Sequence, residues 1–194
     1  MAIYTKLNKE KIASILSNYN LGNIKKFEGI KEGIENTNYL VETDKGKYIL
    51  TIYEKRVKKN DLPFFSELML GLSKKNFICP KPLPNKNSEY ISDFGNKKFM
   101  IVSYLEGKSK KNLSPSDCKI AGRESAKLHE ITKNFHFKRE NDLSIKSWRK
   151  IFDQVKDKCV KIHSDLPKLI EGNLIDVEKN WPSSLPSGII HADL

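Results

Sequence analysis

Apolar side chains first recur at the helical interval in Ile12, Ile15, Leu16 and Tyr19. That spacing predicts an amphipathic helix, with Asn8 as its cap and Gly22 as its stop. The pattern then changes to that of strands. Residues 24–29, 38–43 and 47–53 are short runs rich in β-formers, and Asp44-Lys45-Gly46 between the last two is a hairpin turn, so an antiparallel meander is expected. Helical spacing returns near Asp61, with Phe65, Leu68, Met69 and Leu72 on one face, until Pro80, Pro82 and Pro84 forbid further helix. Two more strands are expected at 89–91 and 97–104, joined by a turn over 93–96. Beyond Gly107 the chain reads as helical. Ser114-Pro115-Ser116-Asp117 has the cap, the first-turn proline and the capping-box acid of a helix start, and Ile120, Ala121, Leu128 and Ile131 form that helix's apolar face. A further helix carries Ile145, Trp148, Ile151, Phe152, Val155, Cys159 and Ile162 as a core-forming stripe. The fold class is therefore α+β, a sheet with one inserted helix followed by helices.

Composition bounds the rest. With 194 residues, 38% of them hydrophobic, the chain has material for one domain core or for two small lobes. No apolar run approaches the ~20 residues of a membrane span, and residues 1–10 are polar rather than signal-like, so a soluble cytoplasmic protein is expected. Cys79, Cys118 and Cys159 are odd in number and far apart, which suggests reduced thiols and neither a disulfide framework nor a zinc site. The formal charge of +11 invites a nucleic-acid reading. Against it, lysines are spread along the whole chain and far outnumber the arginines, Arg56, Arg123, Arg139 and Arg149, whose forked side chains such recognition favours. The charge reads as a solvated surface, and even the cluster Lys108, Lys110 and Lys111 reads as an exposed loop. Neither nucleic acid nor a membrane is expected as a partner.

Two segments carry candidate chemistry. Between the first two strands lies Gly29-Ile30-Lys31-Glu32-Gly33-Ile34-Glu35-Asn36-Thr37-Asn38-Tyr39. Glycines there would let backbone N–H groups approach a phosphate, as in a hairpin lying over a triphosphate; the alternative is an ordinary glycine-containing turn. It is neither a Walker loop nor a dinucleotide fingerprint. At the other end, 188–194 reads as a short apolar strand delivering His191 and Asp193 into a loop. A carboxylate so placed can orient or accept the proton of an attacking hydroxyl. Asp93-Phe94-Gly95 spells a kinase metal motif but precedes the helical half, and it reads as part of a hairpin turn.

Taken in order, Gly29 to Val41 with Glu35-Asn36-Thr37-Asn38-Tyr39, Tyr48 to Glu54, Leu62-Pro63-Phe64-Phe65, Cys79-Pro80, Leu128-His129, the grouping Arg139, Asn141, Leu143 and Trp148, and the final His191-Ala192-Asp193-Leu194 resemble the homoserine kinases. These belong to the aminoglycoside phosphotransferase and choline kinase superfamily, and the resemblance covers nearly the whole chain. It implies a protein-kinase-like fold with a nucleotide-binding lobe at 1–102, and a hinge with the first part of a helical lobe at 103–194, ending in the catalytic loop. It implies that Gly29, Ile30, Gly33, Asn36 and Thr37 lie in the phosphate-covering hairpin and that Ser103, Tyr104 and Leu105 form the hinge that binds adenine. Asp193 would be the catalytic base and His191 a support for its loop, with ATP and Mg2+ as cofactors and L-homoserine as substrate. His129, His136 and His163 are left as structural or exposed.

Two departures accompany the resemblance. Thr51 stands where many superfamily members have a phosphate-gripping lysine on the third strand, and Lys31 and Lys47 are the candidates to replace it. The family's magnesium ligands, an asparagine and a second acidic residue, would follow Leu194, so the chain is expected to be a fragment with little or no turnover. Other acceptors, choline or an aminoglycoside, and a non-catalytic nucleotide-binding module are the competing readings.

Overall fold

A computed structural model of the chain describes residues 3–55 and 57–191. The described residues divide into two compact units, one within 3–138 together with 189–191 and the other Arg139–Gly188.

In the first unit, helix α1 (Lys9–Leu16) starts as predicted, the Asn8 side chain accepting from the Lys11 N–H at 3.0 Å. Among the described residues five strands form one antiparallel sheet: β1 (Ile24–Ile30), β2 (Thr37–Thr43), β3 (Lys47–Tyr53), β4 (Ser92–Phe94) and β5 (Lys97–Ser103), in the order β1-β2-β3-β5-β4. Strict alternation decides the faces. Thr37, Tyr39, Val41 and Thr43 of β2 and Leu50 and Ile52 of β3 are buried, and the apolar members of this set share a core with Ile12, Ile15 and Leu16 of α1 and with Phe99 and Ile101 of β5. The opposite face carries Asn38, Leu40, Ile49 and Thr51, all half-buried, with Met100 fully buried. Helix α2 (Leu62–Lys74) follows a single turn of 3-10 helix at Lys59–Asp61 and buries Leu62, Ser66 and Leu72; Phe65, Leu68 and Met69 are half-buried. Helix α3 (Pro115–Thr132) has the full capping box of Ser114 and Asp117.

Several expectations need correcting. The strand expected at 89–91 lies instead at Ser92–Phe94, because Asn85 captures the preceding segment: its side chain accepts from the Asn87 and Glu89 N–H groups and its N–H donates to the Glu89 carbonyl. The turn is correspondingly short, Gly95-Asn96 alone, and Asp93 belongs to β4, ion-paired across the ladder with Lys98 at 2.7 Å. The apolar face of α3 is buried only near its end, at Leu128 and Thr132, while Ile120 is 46% exposed. Residues 188–191 form no strand and are largely exposed.

The second unit is a helical hairpin. Helix α4 (Ile145–Cys159) buries Phe152 and Cys159 of the predicted stripe, whereas Ile162 lies beyond its end and is exposed. Helix α5 (Leu166–Asn180) was not anticipated from the sequence, although Leu166, Ile170, Leu174 and Val177 recur at helical spacing after a proline-bearing start. Arg149 joins the pair, meeting Glu178 at 2.6 Å and Glu171 at 2.5 Å, and Trp148 meets Trp181 edge to face with ring centroids 5.3 Å apart. Among the described residues no helix is long and apolar enough to cross a membrane.

Candidate functional site

The β1–β2 connection, residues 31–36, is an exposed loop without regular structure, and within it only Asn36 is half-buried. Gly33 has φ +92°, in the region that favours glycine, and a Cβ there would touch nothing within 4 Å, so its conformation rather than its packing requires glycine. Gly29 is different. It pairs with Tyr39, and a Cβ would lie 2.5 Å from Ile3 Cδ1, so its bare face is occupied by the beginning of the chain. Ile30 ends β1 half-buried.

Thr37 is fully buried and its hydroxyl is committed. It accepts from the Tyr4 and Thr5 N–H groups at 3.0 and 3.1 Å and donates to Glu54 Oε1 at 2.7 Å. Glu54 also accepts from Thr5 Oγ1 at 2.6 Å and from Lys97 Nζ, which in turn reaches Thr5 Oγ1. Asn36 Oδ1 faces the Glu54 N–H at 3.4 Å. Burial by itself would push the Glu54 carboxyl up, but the hydrogen bonds from Lys97, Thr5 and Thr37 with the charge of Lys97 outweigh it and hold the group below the usual carboxylate range. Tyr4, Thr5, Glu54 and Lys97 were not singled out from the sequence, because nothing local marks residues that meet across as many as 92 positions.

The third-strand position holds no cation. The Thr51 hydroxyl donates to Asn38 Oδ1 at 2.8 Å on the face of the sheet away from α1. The Lys47 ammonium is at the other end of β3, 5.5 Å from the centre of the Tyr104 ring and 3.4 Å from Glu106, whereas Lys31 is exposed in the loop. Nearby, burial pushes the Tyr53 phenol up to about 12.

At the exit from β5, Ser103 is locked to Lys81 by two bonds of 2.9 Å, one through its N–H and one through its hydroxyl, and the Tyr104 N–H donates to the Lys47 carbonyl at 3.3 Å. Leu105 follows, 42% exposed, and its backbone N–H and C=O make no hydrogen bond among the described residues. A fixed strand thus ends in a residue whose backbone donor and acceptor have no partner among the described residues. His191 is exposed with no hydrogen bond among the described residues, and Asp193 lies outside them. Among the described residues no three His, Cys, Asp or Glu side chains are grouped to hold a metal ion.

The model of the phosphotransferase enzyme family matches residues 26–194. Over its whole length the chain is 40% identical to a homoserine kinase of Methylobacterium radiotolerans, of which it covers 60%, so it spans about three fifths of the length of the curated relatives it matches. Among solved structures, a microcompartment-associated aminopropanol kinase superposes with a TM-score of 0.57 at 17% identity, over 73% of this chain and 48% of that one. A spectinomycin phosphotransferase, solved with ADP and spectinomycin, gives 0.50 at 10% identity, over 87% of this chain and 59% of that one. At such identities these structures speak for the fold: a protein-kinase-like α+β arrangement in which an antiparallel sheet with an inserted helix precedes helices. With the family model covering all but the first strand's beginning and α1, the chain belongs to the phosphotransferase enzyme family.

Proposed function

We propose that this polypeptide carries the nucleotide-binding part of a kinase that transfers the γ-phosphoryl group of MgATP to the hydroxyl of L-homoserine, giving O-phospho-L-homoserine for threonine synthesis. The observation that carries this reading is the 40% identity to a homoserine kinase in an alignment that includes all 194 residues, loop and hinge among them. In it, adenine lies along 103–105 and meets the unpaired N–H and C=O of Leu105. The loop with Gly29, Ile30, Gly33, Asn36 and Thr37 covers the phosphates. Thr37 serves there as the fixed base of the hairpin and not as a phosphate contact, since it is fully buried and its hydroxyl is already bonded on three sides. Lys31, exposed in the loop, supplies the cation that Thr51 cannot. Mg2+ accompanies the ATP phosphates in this reading.

Asp193 orients the homoserine hydroxyl and accepts its proton, with His191 supporting the loop, while in-line positioning and stabilisation of the transferring group supply most of the rate. The test is ADP release with L-homoserine, choline and kanamycin, on a polypeptide completed to the length of the relatives. L-homoserine is expected to be preferred, and preferential turnover of either cationic acceptor would remove the assignment while leaving the fold intact. The 194-residue chain alone is expected to give little or no turnover. In the completed enzyme Asp193→Asn should lower kcat by ~10²- to 10⁴-fold with nucleotide affinity nearly unchanged. A folded variant that kept the parental rate would show the base to be elsewhere.

A further inference from the structure

A loop that covers a ligand is useful only if its height above the sheet is set, because donors displaced by about an ångström lose much of their effect. Here the setting comes from the beginning of the chain. Ile3 packs where a Cβ of Gly29 would be, on the strand that enters the β1–β2 loop. The Tyr4 hydroxyl donates to the Ile34 carbonyl in the loop itself, at 2.9 Å. The Tyr4 and Thr5 N–H groups both donate to Thr37 Oγ1, at the loop's exit, and the Thr5 carbonyl accepts from the Tyr39 hydroxyl at 3.0 Å. Three consecutive residues therefore touch the loop at its entry, its middle and its exit. Their own footing is firm: the Tyr39 hydroxyl accepts from the Leu7 N–H at 2.9 Å, and Thr5 is tied to Glu54 and Lys97.

We propose that residues 3–5 are a latch that holds the β1–β2 loop in position to receive a nucleoside triphosphate, with Tyr4 and Thr37 as positioning residues. This rests on the reading that the loop covers the nucleotide. Tyr4 is the informative member, since it is 57% exposed and its hydroxyl is removable without disturbing the core. Thr37 is the base of the latch, where two N–H donors and one carboxylate meet a single hydroxyl.

The test uses Tyr4→Phe, with Thr37→Val and Thr37→Ser as a second pair. Tryptic cleavage after Lys31 is followed in the 194-residue chain, and KM for ATP and kcat are measured in the completed enzyme. Loss of one hydrogen bond should speed the cut and raise KM for ATP by about 3- to 10-fold in Tyr4→Phe, with kcat and Tm close to parental. Thr37→Val should speed the cut and raise KM for ATP more strongly, with a lowered Tm because two N–H groups lose their acceptor, and Thr37→Ser, which keeps the hydroxyl, should restore cleavage and KM. A Tyr4→Phe protein with lowered Tm but parental KM and cleavage would reduce the contact to a structural one and overturn the latch. Cleavage unchanged in both Tyr4→Phe and Thr37→Val would overturn it as well, through a readout independent of the nucleotide. Parental protein with no affinity for ATP would instead count against the nucleotide reading, and the two failures are thereby separable.

Discussion

Glu54 shows what a single residue contributes. Its side chain is 8% exposed, one oxygen accepts from two threonine hydroxyls, and the other meets the Lys97 ammonium. Glu54→Gln keeps the size but turns one acceptor into a donor, so Lys97 loses its charged partner and keeps only its bond to Thr5 Oγ1. Lys97 is 31% exposed and can still reach water, which keeps the cost near ~2 kcal/mol, below that of breaking a wholly buried pair. The pH dependence has a definite sign. The folded carboxyl lies below its unfolded value, so its contribution is present above about pH 4.3 and is lost as pH falls through the folded value. The Tm gap between parental chain and Glu54→Gln should therefore shrink as pH is taken from about 7 to about 2, and a constant gap would mean that the charge of Glu54 does nothing for the fold. None of this was visible in the sequence. Thr37 could be read as a loop residue, but the partners that fix its hydroxyl lie 17 to 33 positions away, and only the closed sheet brings them together.

Secondary-structure elements were legible where a local rule decides them and illegible where a neighbour does. Asn8 and Ser114 cap the helices they were expected to cap, and the β2–β3 turn falls where Asp44-Lys45-Gly46 puts it. The shifted β4 and the missing strand at 188–191 depend on pairing, which no run of apolar residues specifies. The helical spacing of α5 is interrupted by Gly172 and Asn173, both poor helix formers, and this hid its pattern. Two turn glycines test how elements are joined. Gly95, between β4 and β5, has φ +61° with open space around a Cβ, so Gly95→Ala should cost only the left-handed strain, about 1 kcal/mol. Gly22, between α1 and β1, has φ +83°, and a Cβ there would lie 1.8 Å from Asp44 Oδ1. That carboxylate caps the Asn23 N–H at 2.9 Å, so Gly22→Ala must also displace it and should cost at least about 2 kcal/mol. Urea unfolding of both variants decides the matter; equal losses would show that the Asp44 contact is dispensable.

For the whole molecule, burial rather than helix or strand content predicts which part opens first. In the first unit the central strands carry side chains that are almost wholly sealed, with Leu50, Ile52 and Met100 at 0% and Ile101 at 1% exposure. These strands are paired on both sides, so their amides can exchange only when much of the sheet comes apart. The second unit has Phe152 and Cys159 as its buried side chains among the described residues, and α5 has none. What joins α4 to α5 includes the bonds from Arg149 to two partly exposed glutamates and an edge contact between two tryptophans, interactions that water competes for. Each helix is also 15 residues long, a length at which helices are marginal without a packed face. Native-state hydrogen exchange on the 194-residue chain should therefore find the slowest amides in β3 and β5, exchanging with the global unfolding free energy. Amides of α4 and α5 should exchange through openings of lower free energy, and tryptic cuts within 145–180 should precede loss of the sheet. Protection of α5 equal to that of β3 would mean that the helical hairpin and the sheet unfold as one body, and that the shallow burial of α5 understates what holds it.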